Sequence, residues 1–321
     1  MDLSIIIVNW NTRDLLRECL GSILESRCEY AFEVIVVDNA SSDGSAEMVK
    51  ACFPQIRLIT NSSNHGFAYA NNQAIEYAQG RYILLLNPDT KLPPDNLDKV
   101  INYMDRDENR KVGVLGCKLL YPDGTIQRSI RRSSTLFQTF VVACQLNHFL
   151  HSNIIFQKIG DWLASRFPRA FNSRLWTQYE VESDVESVLG AYYMVRRTLI
   201  DAIGGLDEDY FMFGEELDYS LRCQAAGYKV RYYPGTHIIH YQNQSVKKVN
   251  DEMYIELCRS SLLFAFKHHS KSYKTLLRVV WTIGAILYML RKPRLLFARV
   301  GARSGEQRRF LISLMQVIAT T

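Results

Sequence analysis

The chain has 321 residues, 47% of them hydrophobic, which suffices for one large α/β domain or two smaller ones around a buried core. Its seven cysteines, at positions 19, 28, 52, 117, 144, 223 and 258, are odd in number and form no C-x-x-C pair, which excludes a disulfide frame and a zinc site and predicts reduced cytosolic thiols. The net charge of +5 is divided: residues 259–321 carry twelve Lys and Arg against one acid, Glu306, whereas residues 1–258 carry 26 against 32 acids.

Leu3–Val8 is a continuous apolar run of strand length, as in a parallel strand buried on both faces. The chain enters it directly from Met1, with no basic segment and no small-residue cleavage pattern, so no secretory leader is expected. Thr12 reads as the N-cap of a helix, with Asp14 in its first turn. Leu15, Leu16, Cys19, Leu20, Ile23 and Leu24 then recur at helical period. Glu33–Val37 is a second buried strand, and Ser41–Ser45 a turn and cap before a helix over 46–52. Arg57–Thr60 is a third strand; a polar loop, Asn61–Gly66, leads to a helix over Phe67–Ala78, and Tyr82–Leu86 is the fourth strand. Further on, Lys111–Leu119 reads as a strand, Pro122-Asp123-Gly124 as a turn, Val188–Val195 and Lys229–Tyr233 as strands, and Leu217–Ala226 as a helix ended by Gly227. Residues 133–180 mix aromatic and polar side chains and are expected to form helices with loops.

The opening order βαβαβαβ predicts a mainly parallel doubly wound sheet with right-handed crossovers. Ligands of such sheets bind at the carboxyl ends of the strands. Polar residues collect there: Asn9 and Asn11 after the first strand, Asp38 and Asn39 after the second, Asn61 and Asn64 after the third, Asn87 and Asp89 after the fourth. Asn and Asp favour turns in general, but four strand ends so marked exceed what turn preference supplies. There is no G-x-G-x-x-G after the first strand and no G-x-x-x-x-G-K-[ST] motif, which argues against a dinucleotide oxidoreductase and a P-loop enzyme.

Four constellations carry chemistry. Asp38 stands at a strand tip, where a carboxylate can accept from the imide N–H of a pyrimidine or simply cap the following turn. Asn87-Pro88-Asp89 closes the fourth strand, and one carboxylate with diphosphate oxygens and water is adequate for Mg²⁺ or Mn²⁺. Pro88 fixes that turn. Glu215-Glu216 precedes a helix; adjacent side chains are expected to diverge, leaving Glu216 as a general base and Glu215 to hold acceptor or shape the loop. Asp218 falls inside the helix start, where a carboxylate is stabilised by the helix end. The late His237 and His240 offer an imidazole for a metal. Arg128, Arg131 and Arg132 form a basic cluster, suited to phosphate or else a solvated surface.

These stretches together resemble the family 2 inverting glycosyltransferases of the GT-A fold, in the bacterial rhamnosyltransferase-like branch. The resemblance is carried by Ile5–Asn11, Val36–Ser45, Asn64–Phe67 with Asn71-Asn72, Leu85–Thr90, Gly190-Ala191 through Arg197, Gly204–Glu208 and Phe211–Arg222, and covers about residues 3–245. It implies a Rossmann-like, mainly parallel twisted sheet flanked by helices over residues 1–250. Within it, 1–120 would be the nucleotide-sugar half and 121–250 the acceptor and catalytic half; 251–321 would be a basic amphipathic helical tail. By resemblance, Asp38 reads the pyrimidine, and Asn64 and Gly66 lie in the donor loop. Val8, Asn9, Asn11, Asn39, Phe67, Asn71 and Asn87 line the nucleotide sugar. Asp89 takes the last place of the metal-binding D-x-D, Glu216 that of the base, and His240 that of a metal-associated histidine. Gly190, Ala191 and the three arginines fall to acceptor or phosphate. Asn87 departs from the first Asp of D-x-D, and Glu-Glu departs from the commoner Glu-Asp or Asp-Asp.

The implied reaction moves a sugar from a nucleoside-diphosphate donor, dTDP-rhamnose or a UDP-hexose, to a hydroxyl of a cell-surface glycan or polyprenyl-diphosphate-linked acceptor. The competing expectation is a non-catalytic nucleotide-sugar or glycan-binding module of the same fold. In the tail, Thr275–Leu290 is mostly apolar but interrupted by Arg278, with Thr275, Arg278 and Thr282 on one face and basic residues from Lys267 to Arg294 around it. This predicts an interfacial helix rather than a span, attached peripherally at the cytosolic face of the membrane, or else a helix packed on the catalytic domain. No nucleic-acid partner is expected.

Overall fold

The computed structural model describes residues 1–144, 179–241, 250–291 and 312–320. The chain divides into two compact units, Met1–Arg132 with Gln178–Lys248, and Ser133–Thr177 with Val249–Thr321. Among the described residues, 133–144 group with the C-terminal segment.

In the first unit, strands β1 (Leu3–Asn9), β2 (Phe32–Asp38), β3 (Arg57–Thr60) and β4 (Tyr82–Leu86) alternate with helices α1 (Arg13–Leu24), α2 (Ser45–Cys52) and α3 (Phe67–Ile75). The strands lie in the order β3-β2-β1-β4, every pair parallel. Every residue of β1 and β4 is buried, which is why these strands read as unbroken apolar runs. Helix α1 buries Leu16, Cys19, Leu20 and Ile23 as its periodicity predicts, while Leu24, at its end, is exposed.

The chain continues through β5 (Thr90–Lys91), α4 (Asn96–Asp105), β6 (Val112–Leu120), β7 (Ile126–Gln127) and β8 (Ile130–Arg131), then α5 (Leu136–Ala143) of the second unit. The first unit resumes with β9 (Ser183–Asp184), β10 (Ser187–Val188), β11 (Tyr192–Arg196), α6 (Arg197–Ile203), α7 (Glu215–Ala225) and β12 (Lys229–His240). Strand β11 runs antiparallel between β4 and β6, β12 parallel to β6, and β5 antiparallel to β12. The sheet is thus mainly parallel, as expected, with its carboxyl edges aligned.

Three elements differ from the sequence reading, and each difference positions the site. The expected strand 188–195 is two strands, broken at Leu189-Gly190-Ala191, because Ser187–Val188 pairs with β8 and not with the main sheet. Strand β12 does not stop at Tyr233. Pro234, Gly235 and Thr236 loop out between Tyr233, opposite Cys117, and His237, opposite Lys118. A proline is tolerated in a strand at such a bulge, and pairing resumes as far as His240. Helix α7 starts at Glu215, two residues early, because Phe213 and Gly214 take positive φ (69° and 89°) and turn the chain sharply into it.

The second unit holds α5, α8 (Asn250–His268), α9 (Lys271–Arg291) and a helix over 312–320, α10. Trp281 and Tyr254 meet edge to face at 5.5 Å in its core, a contact contributing about 1 kcal/mol beyond area burial. Residues 145–178, and Lys292 and Arg294 of the expected basic flank, lie outside the described residues.

Candidate active site

The parallel register places Asn9 opposite Asp38 and Asp38 opposite Thr60, so the tips of β1, β2 and β3 form one edge. Asn9 is fully buried; its Nδ2 donates to Asp38 Oδ1 and to Ser41 Oγ, both at 3.0 Å. The backbone N–H of Ser41 donates to Asp38 Oδ2 at 3.0 Å. Both Asp38 oxygens are therefore engaged within the chain, and the residue is 3% exposed. Asn9 and Asp38 lock the β1 and β2 tips together. Thr12 differs from expectation: its hydroxyl donates to Asn9 Oδ1 at 2.6 Å instead of capping α1, and the Arg13 N–H donates to Asp43 from across the turn. Val8 is buried beneath this edge. Asn11 is half-buried and holds φ 54°, with its Oδ1 accepting from Ser42 N–H at 2.8 Å.

Asn39 uses its whole amide. Nδ2 donates to Asn64 Oδ1 (2.8 Å) and Gly66 O (3.1 Å), and Oδ1 accepts from Asn61 Nδ2 (3.1 Å) and His65 N–H (3.2 Å). Two donors and two acceptors are all it has, so Asn39 is the clamp of the loop 61–66. At the end of that loop Gly66 has φ 88°, and a Cβ there would stand 2.5 Å from Phe211 O. No residue but glycine fits. Phe67 N–H donates to the same Phe211 oxygen at 2.7 Å, tying the loop to the segment that enters α7. Asn71 Nδ2 donates to Phe67 O, and its buried Oδ1 has no hydrogen-bond partner among the described residues.

Asp89 and His240 meet because β12 outlasts its bulge. His240 pairs with Thr90, and Tyr241 N–H donates to Asp89 O at 2.9 Å. His240 Nε2 lies 3.2 Å from Asp89 Oδ1, with both side chains buried, and Nδ1 lies 2.8 Å from Gln127 Oε1. The imidazole thus stands between an amide and a carboxylate, and either ring nitrogen can carry the proton. An imidazole nitrogen and a carboxylate suit a divalent ion that completes its shell with ligand oxygens and water. Among the described residues no group of three or more His, Cys, Asp or Glu could hold a metal alone. Gln127 was absent from the sequence reading; the available signal was a polar residue alternating with Ile126 in a short strand after the Pro122-Asp123-Gly124 turn.

The carboxyl pair opens α7. Tyr193 Oη and Ser187 Oγ donate to the Glu216 backbone oxygen at 3.1 and 3.2 Å, and Ser220 joins the two hydroxyls, so the first turn is pinned from β10 and β11. A Cβ on Gly190 would meet only Glu216 Cβ, at 3.9 Å, so the Gly190 backbone passes directly beside the Glu216 side chain. Ala191 O accepts from Asn87 N–H at 3.1 Å, which joins this break to the β4 tip. Glu215 is 6% exposed; burial first, and then the charge of Glu216, push its carboxyl well above the usual carboxylate range. The Glu216 charge adds to burial in disfavouring ionisation of Glu215. Each has an Oε2 without a hydrogen-bond partner among the described residues. Asp218 has the structural role read from the sequence, 2.8 Å from Arg222 Nε, while Arg222 also donates to Ile203 O and Gly205 O. Arg128, Arg131 and Arg132 are exposed, and Arg131 stands opposite Ser187 in the β8–β10 pair.

Among solved structures, the mannosyltransferase PcManGT of Pyrobaculum calidifontis, determined with GDP-Man and Mn²⁺, matches 99% of this chain and 87% of its own with a TM-score of 0.54 at 16% identity. The fold is that of the GT-A glycosyltransferases, and this defines the class. Residues 4–160 match the model described as Glycosyl transferase family 2. The O-antigen biosynthesis protein RfbC of Myxococcus xanthus is 28% identical over 75% of this chain, which spans 17% of that protein's length. The N-acetylglucosaminyl-diphospho-decaprenol L-rhamnosyltransferase of Mycobacterium tuberculosis is 24% identical over 89% of this chain and 90% of its own.

Proposed function

We propose that the chain is an inverting glycosyltransferase that moves a sugar from a nucleoside-diphosphate donor, dTDP-rhamnose or a UDP-hexose, to a hydroxyl of a polyprenyl-diphosphate-linked or cell-surface glycan acceptor. One observation carries the reading: the β4 tip that bears Asp89, facing His240, is hydrogen-bonded through Asn87 to the Ala191 backbone, whose neighbour Gly190 runs beside Glu216. A leaving-group site and a carboxylate base are thus linked by a single backbone contact. The mycobacterial relative is named as a rhamnosyltransferase with a diphospho-decaprenol acceptor, which supports a rhamnosyl donor and a lipid-linked acceptor.

The donor nucleoside rests on the strand tips, in the pocket shaped by Asn11, the Asn9–Asp38 lock and the Asn39-clamped loop through Gly66, Phe67 and Asn71. Asp89 and His240 would hold a divalent cation, Mg²⁺ or Mn²⁺, which when bound would supply positive charge to the departing diphosphate. Glu216 takes the proton of the acceptor hydroxyl as its oxygen attacks the anomeric carbon from the face opposite the diphosphate. The carbon–oxygen bond to the diphosphate breaks, and the configuration inverts. Burial and the neighbouring Glu216 charge disfavour ionisation of Glu215, which leaves Glu216, next to Gly190, as the residue proposed for proton removal. Arg128, Arg131 and Arg132 line the approach for acceptor phosphate. The basic tail, 259–321, attaches the enzyme peripherally at the cytosolic membrane face; among the described residues no helix is long and apolar enough to cross a membrane.

Nucleoside diphosphate release by the purified protein tests this. The protein is offered dTDP-rhamnose, UDP-glucose, UDP-galactose and UDP-N-acetylglucosamine with Mg²⁺ or Mn²⁺ and membrane lipid extract as acceptor. Release from one donor, abolished by chelator and by Asp89→Ala, is expected. Tight donor binding with no release from any donor, even with the lipid extract present, would make the chain a binding module.

A further inference from the structure

Helix α9 is apolar on two sides. One side, with Leu277, Trp281 and Ala285, is buried in the core of the second unit. Its orientation is fixed at Gly284, where a Cβ would stand 2.6 Å from the Ala143 oxygen of α5; the same oxygen accepts from Tyr254 Oη at 2.7 Å. The helix therefore cannot roll to bury its other side. That side carries Leu276, Val279, Ile283 and Ile286, exposed by 53, 50, 40 and 47%. Their spacing of three, four and three residues gathers them into a stripe roughly 80° wide at about 100° per residue. Exposed Lys271 and Arg278 flank the stripe, with Thr275 and Thr282 between. Contiguous exposed apolar side chains of this kind mark an interaction surface.

We propose that this outward stripe of α9 is the surface that inserts into an anionic lipid bilayer. It deepens the membrane placement given above, and rests on that part of the reading. Charge selects the occupant: twelve basic residues and one acid in 259–321 complement anionic headgroups, while the remainder of the chain is net acidic. An interfacial helix needs both components, apolar side chains reaching the acyl boundary and basic residues at the headgroups. The stripe supplies the first, and Lys271 and Arg278 supply the second at its margin.

Sedimentation of the full chain with vesicles tests the assignment. Phosphatidylcholine vesicles containing phosphatidylglycerol are compared with phosphatidylcholine alone, for the wild type, for Val279→Ser/Ile283→Ser and for Lys271→Gln/Arg278→Gln. All four positions are exposed, so the variants are expected to keep the wild-type thermal midpoint. The wild type should bind anionic vesicles in preference, the serine variant should lose about tenfold or more in partitioning, and the glutamine variant should lose part of the preference for anionic lipid. Equal binding by the serine variant and the wild type would overturn the stripe while leaving membrane placement standing. No binding by the wild type would overturn both. A wild-type dimer that the serine substitutions convert to monomer would assign the stripe to a second copy of this chain and overturn the lipid assignment.

Discussion

Glu215 shows how one side chain's surroundings decide its charge. Its carboxyl is buried, its Oε2 has no hydrogen-bond partner among the described residues, and Glu216 stands beside it. Burial and a like charge both disfavour ionisation, so the folded state holds the proton well above the usual range near 4.3. A raised carboxyl pKa makes the associated stability fully present below the unfolded-state value and lost as pH rises toward the folded-state one. Glu215→Gln, which is permanently uncharged and of similar shape, should therefore match wild type in thermal midpoint near pH 4. Above that pH it should gain on wild type steadily, as scanning calorimetry across pH would read. A difference between the two that is independent of pH would mean that Glu215 is ionised in the fold. This environment was not visible in the sequence, where two adjacent acids at a helix start look like a solvated first turn. What buries Glu215 is the early start of α7 after Phe213 and Gly214, a backbone event with no strong residue signature.

Secondary-structure elements divided cleanly by how local their causes are. Strands β1, β2 and β4 were readable from the sequence because burial on both faces leaves an unbroken apolar run, and α1 because four of its apolar positions face one core. The end of β12 was not readable, because Pro234-Gly235 is a local stop signal that pairing with β6 and β5 overrides. That override brings His240 to Asp89, a contact that only the resemblance suggested and that no spacing could give. Gln127 is part of the same construction, its Oε1 2.8 Å from His240 Nδ1. A partner that fixes the tautomer and direction of a ligand imidazole is typically worth about 10–100-fold in metal affinity. Gln127→Leu should accordingly raise the Mn²⁺ concentration for half-maximal turnover by that factor, with kcat at saturating metal nearly kept. An unchanged metal requirement would remove Gln127 from the site.

At the scale of the molecule, the sequence displayed its division as charge: an acidic body and a basic end. The two compact units run close to that division except that the described residues 133–144 group with the C-terminal helices through contacts distant in sequence, such as Gly284 against the Ala143 oxygen. Within the chain, Asn9, Asp38 and Asn39 make hydrogen bonds that hold the strand-end loops in place, an internal role that the strand-end pattern alone did not reveal. The fold sets the β4 tip, the Gly190 break and the start of α7 along one edge, and in the proposed reaction donor binding and proton removal would fall to different residues. The most direct test of that separation is to measure donor affinity and turnover side by side for Glu216→Gln in the presence of Mn²⁺. Donor affinity within about threefold of wild type, with turnover lower by about 10²–10⁴, is the predicted result for loss of a general base. Turnover near the wild-type rate, or donor affinity lost in step with turnover, would contradict the assignment of Glu216 and with it the account of this site.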